Sequence, residues 1–202
     1  MRRCEWPRTE KEIRYHDTEW GVPLHTDRKL FEFIVLDTFQ SGLSWRLMLE
    51  KREGFKQAFA NFDPKKVAKF TARDVTRLLN DAGIIRNRQK ITATVRNAQA
   101  FLAVQKEFGT FATYIWQFTN GKTIDHKLRS EVDYRATSPI AEAMSKEMKS
   151  RGFAFVGPTT CHAYMQGIGM YNDHLVSCFR HAEVKSVSTK AGFRHNHVRK
   201  KK

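Results

Sequence analysis

The chain has only three cysteines in 202 residues, and they stand far apart at Cys4, Cys161 and Cys178. That excludes a disulfide framework. It fits a reducing compartment, where cysteines accompanied by histidines are read first as metal ligands. No apolar run approaches the ~20 residues that cross a bilayer. The N-terminus, MRRCEWPRTEK, lacks the apolar stretch of a secretory signal, so a cytoplasmic protein is expected. Strand signals are scarce and no internal repeat is present. Acidic residues are few, 21 against 36 Lys and Arg, and none lies beyond Val184. Seven of the fifteen net positive charges fall in that tail, so the body is basic in its own right. Excess charge of this size fits a nucleic acid or an anionic membrane surface, and fits simple solubility equally well.

What is present is the material of a core. Hydrophobic residues make up 41% of the chain and aromatics 12%, which excludes a disordered protein. Residues 1–184 are expected to form one unit, as a single domain or two small helical lobes. Residues 185–202 read as a basic, disordered tail.

The periodicity is helical throughout and predicts an all-α protein of roughly eight to ten helices. A helix opens at Asp27, expected as its cap, and ends near Gln40-Ser41-Gly42. Asp37 lies inside its apolar run, where a carboxylate is either paired, working, or turned to solvent. Gly42 breaks the helix, Ser44 caps the next, and Leu43 is left in a tight turn. There it is a candidate wedge between base steps or an exposed leucine without a role. Asp63-Pro64, Thr71 to Asp74, Thr110 and Ser138-Pro139 mark further helix starts. A long helix over roughly 87–107 places Ile91, Val95, Ala98 and Leu102 on one face. Arg86, Arg88 and Lys90 precede or open it, as phosphate contacts or as a solvated cluster. Residues 120–137 are polar and aperiodic, which predicts a loop.

Residues 151–178 carry the densest signals. Gly152 and Gly157 bracket a short turn, and Pro158 and Thr159 suit the first positions of a helix. Glycine-turn amides together with a helix N-terminus make a natural phosphate seat. Farther on, His174 and Cys178 would share one face of a helix at i, i+4. With Cys4 and His16 they complete a Cys2His2 set, the complement that zinc prefers. Spacing alone leaves open a buried structural cysteine with two ordinary histidines.

Several segments together resemble one family. They are Arg3-Cys4-x-Trp6, Tyr15-His16-Asp17-x-Glu19-Trp20-Gly21, Gln40-x-Gly42-Leu43-Ser44-Trp45, Gly83-Ile84-Ile85-Arg86, Arg151-Gly152-Phe153-x-Phe155-Val156-Gly157 and Asn172-Asp173-His174. From Arg3 to about Phe179 the sequence resembles DNA-3-methyladenine glycosylase I, the zinc-containing branch of the helix-hairpin-helix DNA glycosylases. The resemblance implies that Cys4, His16, His174 and Cys178 bind one structural Zn2+, stapling the N-terminus to the last helix. It implies a hairpin at Gly152–Gly157 that holds a DNA phosphate through backbone amides, with Phe155, Val156 and Thr159 at the contact. It makes Leu43 the plug left where a nucleotide leaves the stack.

The flipped base would lie among Trp6, Tyr15, Trp20 and Trp45, with one or two of the four tryptophans serving the core alone. A cationic base over an electron-rich ring gains ~0.5–2 kcal/mol. Cys161 is expected in the core. The implied activity is hydrolytic excision of 3-methyladenine from alkylated double-stranded DNA by a monomer. It leaves an abasic site, without a lyase step, because no lysine stands out as a nucleophile. The chain departs from the family twice. Asp37 stands where the family usually has the Glu that reads the base, one methylene shorter. Glu12 stands where it often has a pocket aromatic, and is read as a source of the missing reach. A role for Asp173, just after the hairpin helix, is left open. These departures also suit a rival from another class, a non-catalytic, zinc-stabilised DNA-binding module.

Overall fold

The computed structural model describes residues 1–190. Expectations for residues 191–202 lie outside the described residues. The fold is helical, as expected, with α1 (Glu10–Thr18), α2 (Asp27–Gln40), α3 (Trp45–Ala58), α4 (Pro64–Val67) and α5 (Ala72–Leu79). These are followed by α6 (Arg88–Phe108), α7 (Phe111–Ile115), α8 (Pro139–Ser150), α9 (Pro158–Gly167) and α10 (Phe179–Lys190). Short 3₁₀ turns cover Ala60–Phe62, Trp116–Thr119 and Glu131–Asp133. The polar stretch 120–137 is mostly loop, but it contributes β1 (Ile124–Asp125). This strand pairs in parallel with β2 (Tyr171–Asn172), Ile124 opposite Tyr171.

α2 is the axis of the molecule. Leu30, Phe31, Phe33, Ile34, Val35, Leu36 and Phe39 are all buried, so the helix is apolar on every side. α3, α6, α7 and α9 pack around it. Helix starts follow local chemistry. Ser44 accepts from Leu47 N, Asp63 from Lys65 N and Thr110 from Thr113 N, and Ser138 from Ala141 N, each satisfying an orphan amide of a first turn. Thr71 and Asp74 form the expected capping box.

Three local expectations are corrected. Asp27 does not cap its own helix; Thr26 holds that position. The Asp27 carboxylate instead accepts from Phe111 N at 2.8 Å and Ala112 N at 2.9 Å, anchoring the start of α7. The buried face of α6 runs through Ile91, Thr94, Asn97, Ala98, Phe101 and Val104, with Val95 and Leu102 only half-buried. α6 is wedged between α2 on one side and α4 and α5 on the other, which rotates and widens its apolar stripe. Finally, α10 continues through the expected boundary at 184/185 to Lys190, with Val184 buried.

The segment after α1 is laced to the end of α9. Gly21 N donates to Gln166 O at 3.1 Å and Leu24 N to Ile168 O at 3.0 Å. Gly169 sits at this crossing with φ +78, and a Cβ there would overlap the backbone of Val22 and Pro23. Gly169→Ala therefore combines a disfavoured φ with a backbone clash. It is expected to destabilise the fold by about 2–3 kcal/mol, read as a lower urea midpoint.

Candidate functional site

The two ends of the described chain meet in one buried cluster. Ligand atoms of Cys4, His16, His174 and Cys178 lie within 4.8 Å of one another. Individual separations are 3.2 Å for His174 Nδ1 to His16 Nε2, 3.6 Å for Cys178 Sγ to His16 Nε2, 3.8 Å for Cys178 Sγ to His174 Nδ1 and 3.9 Å for Cys4 Sγ to His174 Nδ1. Tetrahedral bonds of about 2.0–2.3 Å imply edges of roughly 3.3–3.8 Å, so the arrangement fits a metal ion with N2S2 coordination. The outward nitrogens are fixed. His16 Nδ1 pairs with Asp17 Oδ1 at 2.7 Å, and His174 Nε2 meets Trp20 O at 3.0 Å. Asp17 is itself held by Arg3 at 2.9 Å. Such partners set ring orientation and leave the inward nitrogen unprotonated for a metal.

His174 and Cys178 do not share a helix face, contrary to the i, i+4 reading. They lie in the turn between β2 and α10, and that turn brings them together instead.

Beside this cluster opens a cavity of about 360 Å³. Trp6, Tyr15, Trp20 and Trp45 all line it, as expected, joined by Phe33. Trp6 and Trp20 meet edge to face at 5.2 Å, Tyr15 and Trp45 lie 5.2 Å apart, and Phe33 stacks on Trp45 at 6.3 Å. The fourth tryptophan, Trp116, is buried and donates to Leu24 O at 2.7 Å; it serves the core alone. Cys161 is likewise buried.

Asp37 is 5% exposed and lines the same cavity, which excludes the solvent-facing reading. Among the described residues its Oδ2 has no hydrogen-bond partner. Burial without a donor or cation pushes its carboxyl well above the usual carboxylate range. Burial, and then the nearby Asp37, also raises the Tyr15 phenol well above its ordinary value, so it stays a hydroxyl.

Glu12 is corrected. It does not line the cavity. Its carboxylate accepts from Thr9 N at 2.9 Å, Thr9 Oγ1 at 2.9 Å and Arg8 N at 3.1 Å, completing the capping box of α1. These bonds draw its pKa below the ordinary value although burial opposes the shift.

The expected DNA-contact elements surround the same helix. Leu43 is 39% exposed in the turn between α2 and α3. Lys90 is buried rather than on a solvated face. Its Nζ donates to Phe39 O at 2.7 Å and Ser41 O at 2.5 Å, clamping the carbonyl end of α2 beneath Leu43. Arg86 and Arg88 remain exposed.

In the hairpin, Gly152 has φ +90 and its amide donates to Lys149 O at 3.0 Å. It terminates α8 and has no amide left for a phosphate, which corrects that part of the expectation. Ala154 N and O are both held by Asn97. Val156 is buried, with its carbonyl accepting from Ser145 Oγ at 2.6 Å. Among the described residues the amides of Phe155, Val156 and Gly157 have no acceptor, and in the first turn of α9 that follows, Thr159 is exposed.

Sequence reasoning missed Phe33, Gln40, Glu131, Tyr134, Arg135 and Gln166 in the cavity wall. It also left open what Asp173 does. Asp173 is buried, accepting from Gln166 Nε2 at 2.7 Å and His126 Nδ1 at 2.6 Å. Burial and those bonds have no counterpart in local spacing.

Residues 6–181 match the family model for methyladenine glycosylase. The DNA-3-methyladenine glycosylase of Haemophilus influenzae is 44% identical over 177 residues, covering 87% of this chain and 96% of that protein. A crystal structure of 3-methyladenine DNA glycosylase I superimposes with a TM-score of 0.86 at 43% identity, covering 88% of this chain and 98% of the other. A variant of 3-methyladenine DNA glycosylase I in complex with 3-methyladenine superimposes with a TM-score of 0.86 at 32% identity, covering 97% and 100%. The chain belongs to the methyladenine glycosylase family.

Proposed function

We propose that this enzyme extrudes 3-methyladenine from alkylated double-stranded DNA, holds it in the aromatic cavity, and hydrolyses its N-glycosidic bond. The observation that carries this reading is Asp37, a carboxyl without a partner in a wall of aromatic rings. A lone carboxylate there is unstable, and a cationic base supplies the missing charge while the ring faces attract it. Neutral purines supply neither, so selectivity follows from the wall itself. In the bound state Asp37 accepts from the base. Bond cleavage neutralises the base, so no general acid is required, and the oxocarbenium-like sugar is stabilised by the carboxylate and nearby phosphates.

No lysine lines the cavity among the described residues, and buried Lys90 is committed to carbonyls. That supports a monofunctional enzyme that leaves an abasic site. Leu43 fills the vacated stack, and the amides of Phe155, Val156 and Gly157 with the start of α9 hold a phosphate. Cys4, His16, His174 and Cys178 would hold one Zn2+. Four protein ligands leave no open position, so its part is structural. In this reading the enzyme acts as a cytoplasmic monomer. No described helix is long and apolar enough to cross a membrane.

The deciding experiment is release of free 3-methyladenine from methylated duplex DNA. Native protein releases the base, and Asp37→Asn lowers release at least ~100-fold. No release by folded, metal-loaded protein would leave only a DNA-binding module. Asp37→Asn has a second consequence. Because the folded-state pKa is raised, the carboxyl is protonated in both states below about 3.9, and stability falls as pH rises toward the folded-state value. Asn abolishes that fall, so the variant melts at or above the native temperature at pH 7.

Removing the metal with a chelator, or Cys178→Ser, lowers the melting temperature by more than about 10 °C, and elemental analysis finds one zinc per native chain. Glu12→Ala destabilises by about 1 kcal/mol through the lost capping box and leaves base release unchanged.

A further inference from the structure

The cavity wall contains one amide whose orientation is dictated from behind. Gln166 reaches the cavity from α9, and its Nε2 donates to Asp173 Oδ2 at 2.7 Å. The other carboxylate oxygen of Asp173 accepts from His126 Nδ1 at 2.6 Å. Asp173 is 3% exposed, so its carboxylate depends on these two partners more than on solvent. Asp173 Oδ2 is the acceptor of this bond, and turning the amide over would set two oxygens against each other. The nitrogen of Gln166 therefore faces Asp173. Its carbonyl oxygen Oε1 is the group left over, and no described side chain donates to it.

We propose that Gln166 Oε1 accepts a hydrogen bond from the exocyclic 6-amino group of the extruded base, with Asp173 as its positioning residue. This rests on the reading that the cavity holds that base. It assigns a division of labour within one wall. Asp37 selects for positive charge, and Gln166 selects for an amino group over an oxo group at position 6. Adenine carries a donor there and guanine an acceptor, so a fixed carbonyl favours the first and repels the second. Sites built to bond a particular polar group discriminate against analogues that lack it, because a buried acceptor is left unpaired.

The test uses two free bases that differ at this position, 3-methyladenine and 3-methylhypoxanthine. Their binding is followed by quenching of tryptophan fluorescence. Native protein prefers the 6-amino base by about tenfold or more. Gln166→Met binds that base about tenfold more weakly and the 6-oxo base at least as well as native protein does, so the preference collapses. Equal weakening for both bases, or no change for either, overturns the proposal, since a merely structural glutamine would act on both alike. Native protein without a preference overturns it with no variant needed. Asp173→Asn, which can face Gln166 with either amide atom, lowers the same preference with Gln166 intact; an unchanged ratio removes the positioning role. Native protein that binds neither base would instead overturn the base-pocket reading, and this assignment with it.

Discussion

The pocket exists because two segments remote in sequence, around Cys4–His16 and His174–Cys178, converge on one buried cluster. Trp6, Tyr15 and Trp20 supply much of the aromatic wall, yet the first twenty residues contain a single nine-residue helix. Such a segment does not hold itself in place, since short helices take most of their stability from packing. What fixes it is the meeting of Cys4 and His16 with His174 and Cys178, reinforced by Arg3, Asp17 and the carbonyl of Trp20. Trp20 packs edge-on to His174 at 4.6 Å and Trp6 to His16 at 5.5 Å. The wall is thus built directly on the cluster. Anything that loosens those four side chains opens the cavity before it disturbs the α2 core.

A second constraint runs through α2. Asp37 faces the aromatic cavity and also borders a small void shared with Phe155, Val156 and Thr160 of the hairpin region. Three residues beyond it the helix reaches Gln40, and then the turn that carries Leu43. The buried carboxyl, the turn that exposes Leu43 and the back of the Gly152–Gly157 hairpin are therefore registered against one rigid element. Lys90 secures its end, where carbonyls have no helical partners and attract a cation. Sites on rigid elements hold geometry better than sites on loops, which matters when the ligand must arrive already extruded.

How much of this could be read from the sequence depended on what kind of signal each residue carried. Helix starts were legible because capping is local: Ser44, Asp63, Thr71, Thr110 and Ser138 each cap as read. The metal set was legible as a complement of residue types, even though the helical geometry assumed for His174 and Cys178 was wrong. Glu12 was misassigned despite a readable signal, since Thr9-x-x-Glu12 is itself a capping box. Asp27 could not have been read. It caps a helix that starts 84 residues away, through tertiary packing alone. Phe33 escaped because α2 is apolar on every side, so periodicity singles out no face. Glu131, Tyr134 and Arg135 fell in an aperiodic loop, where only the folded chain shows that three residues reach the cavity.

The shortened carboxylate at Asp37 has a physical place in this arrangement. A residue that reads charge need not touch every donor of the base, because Coulomb attraction in a dry wall falls off slowly compared with a hydrogen bond. A neutral acceptor has no such reach and must be held at contact. Within this wall the Asp37 carboxyl is left without a fixed partner, while the neutral amide of Gln166 is held by Asp173, which His126 holds in turn. Tight positioning is thus found on the group whose interaction is short-ranged, and tolerance on the group whose interaction is long-ranged. On this argument, loss of one methylene at Asp37 is a smaller perturbation than a change of the same size at Gln166.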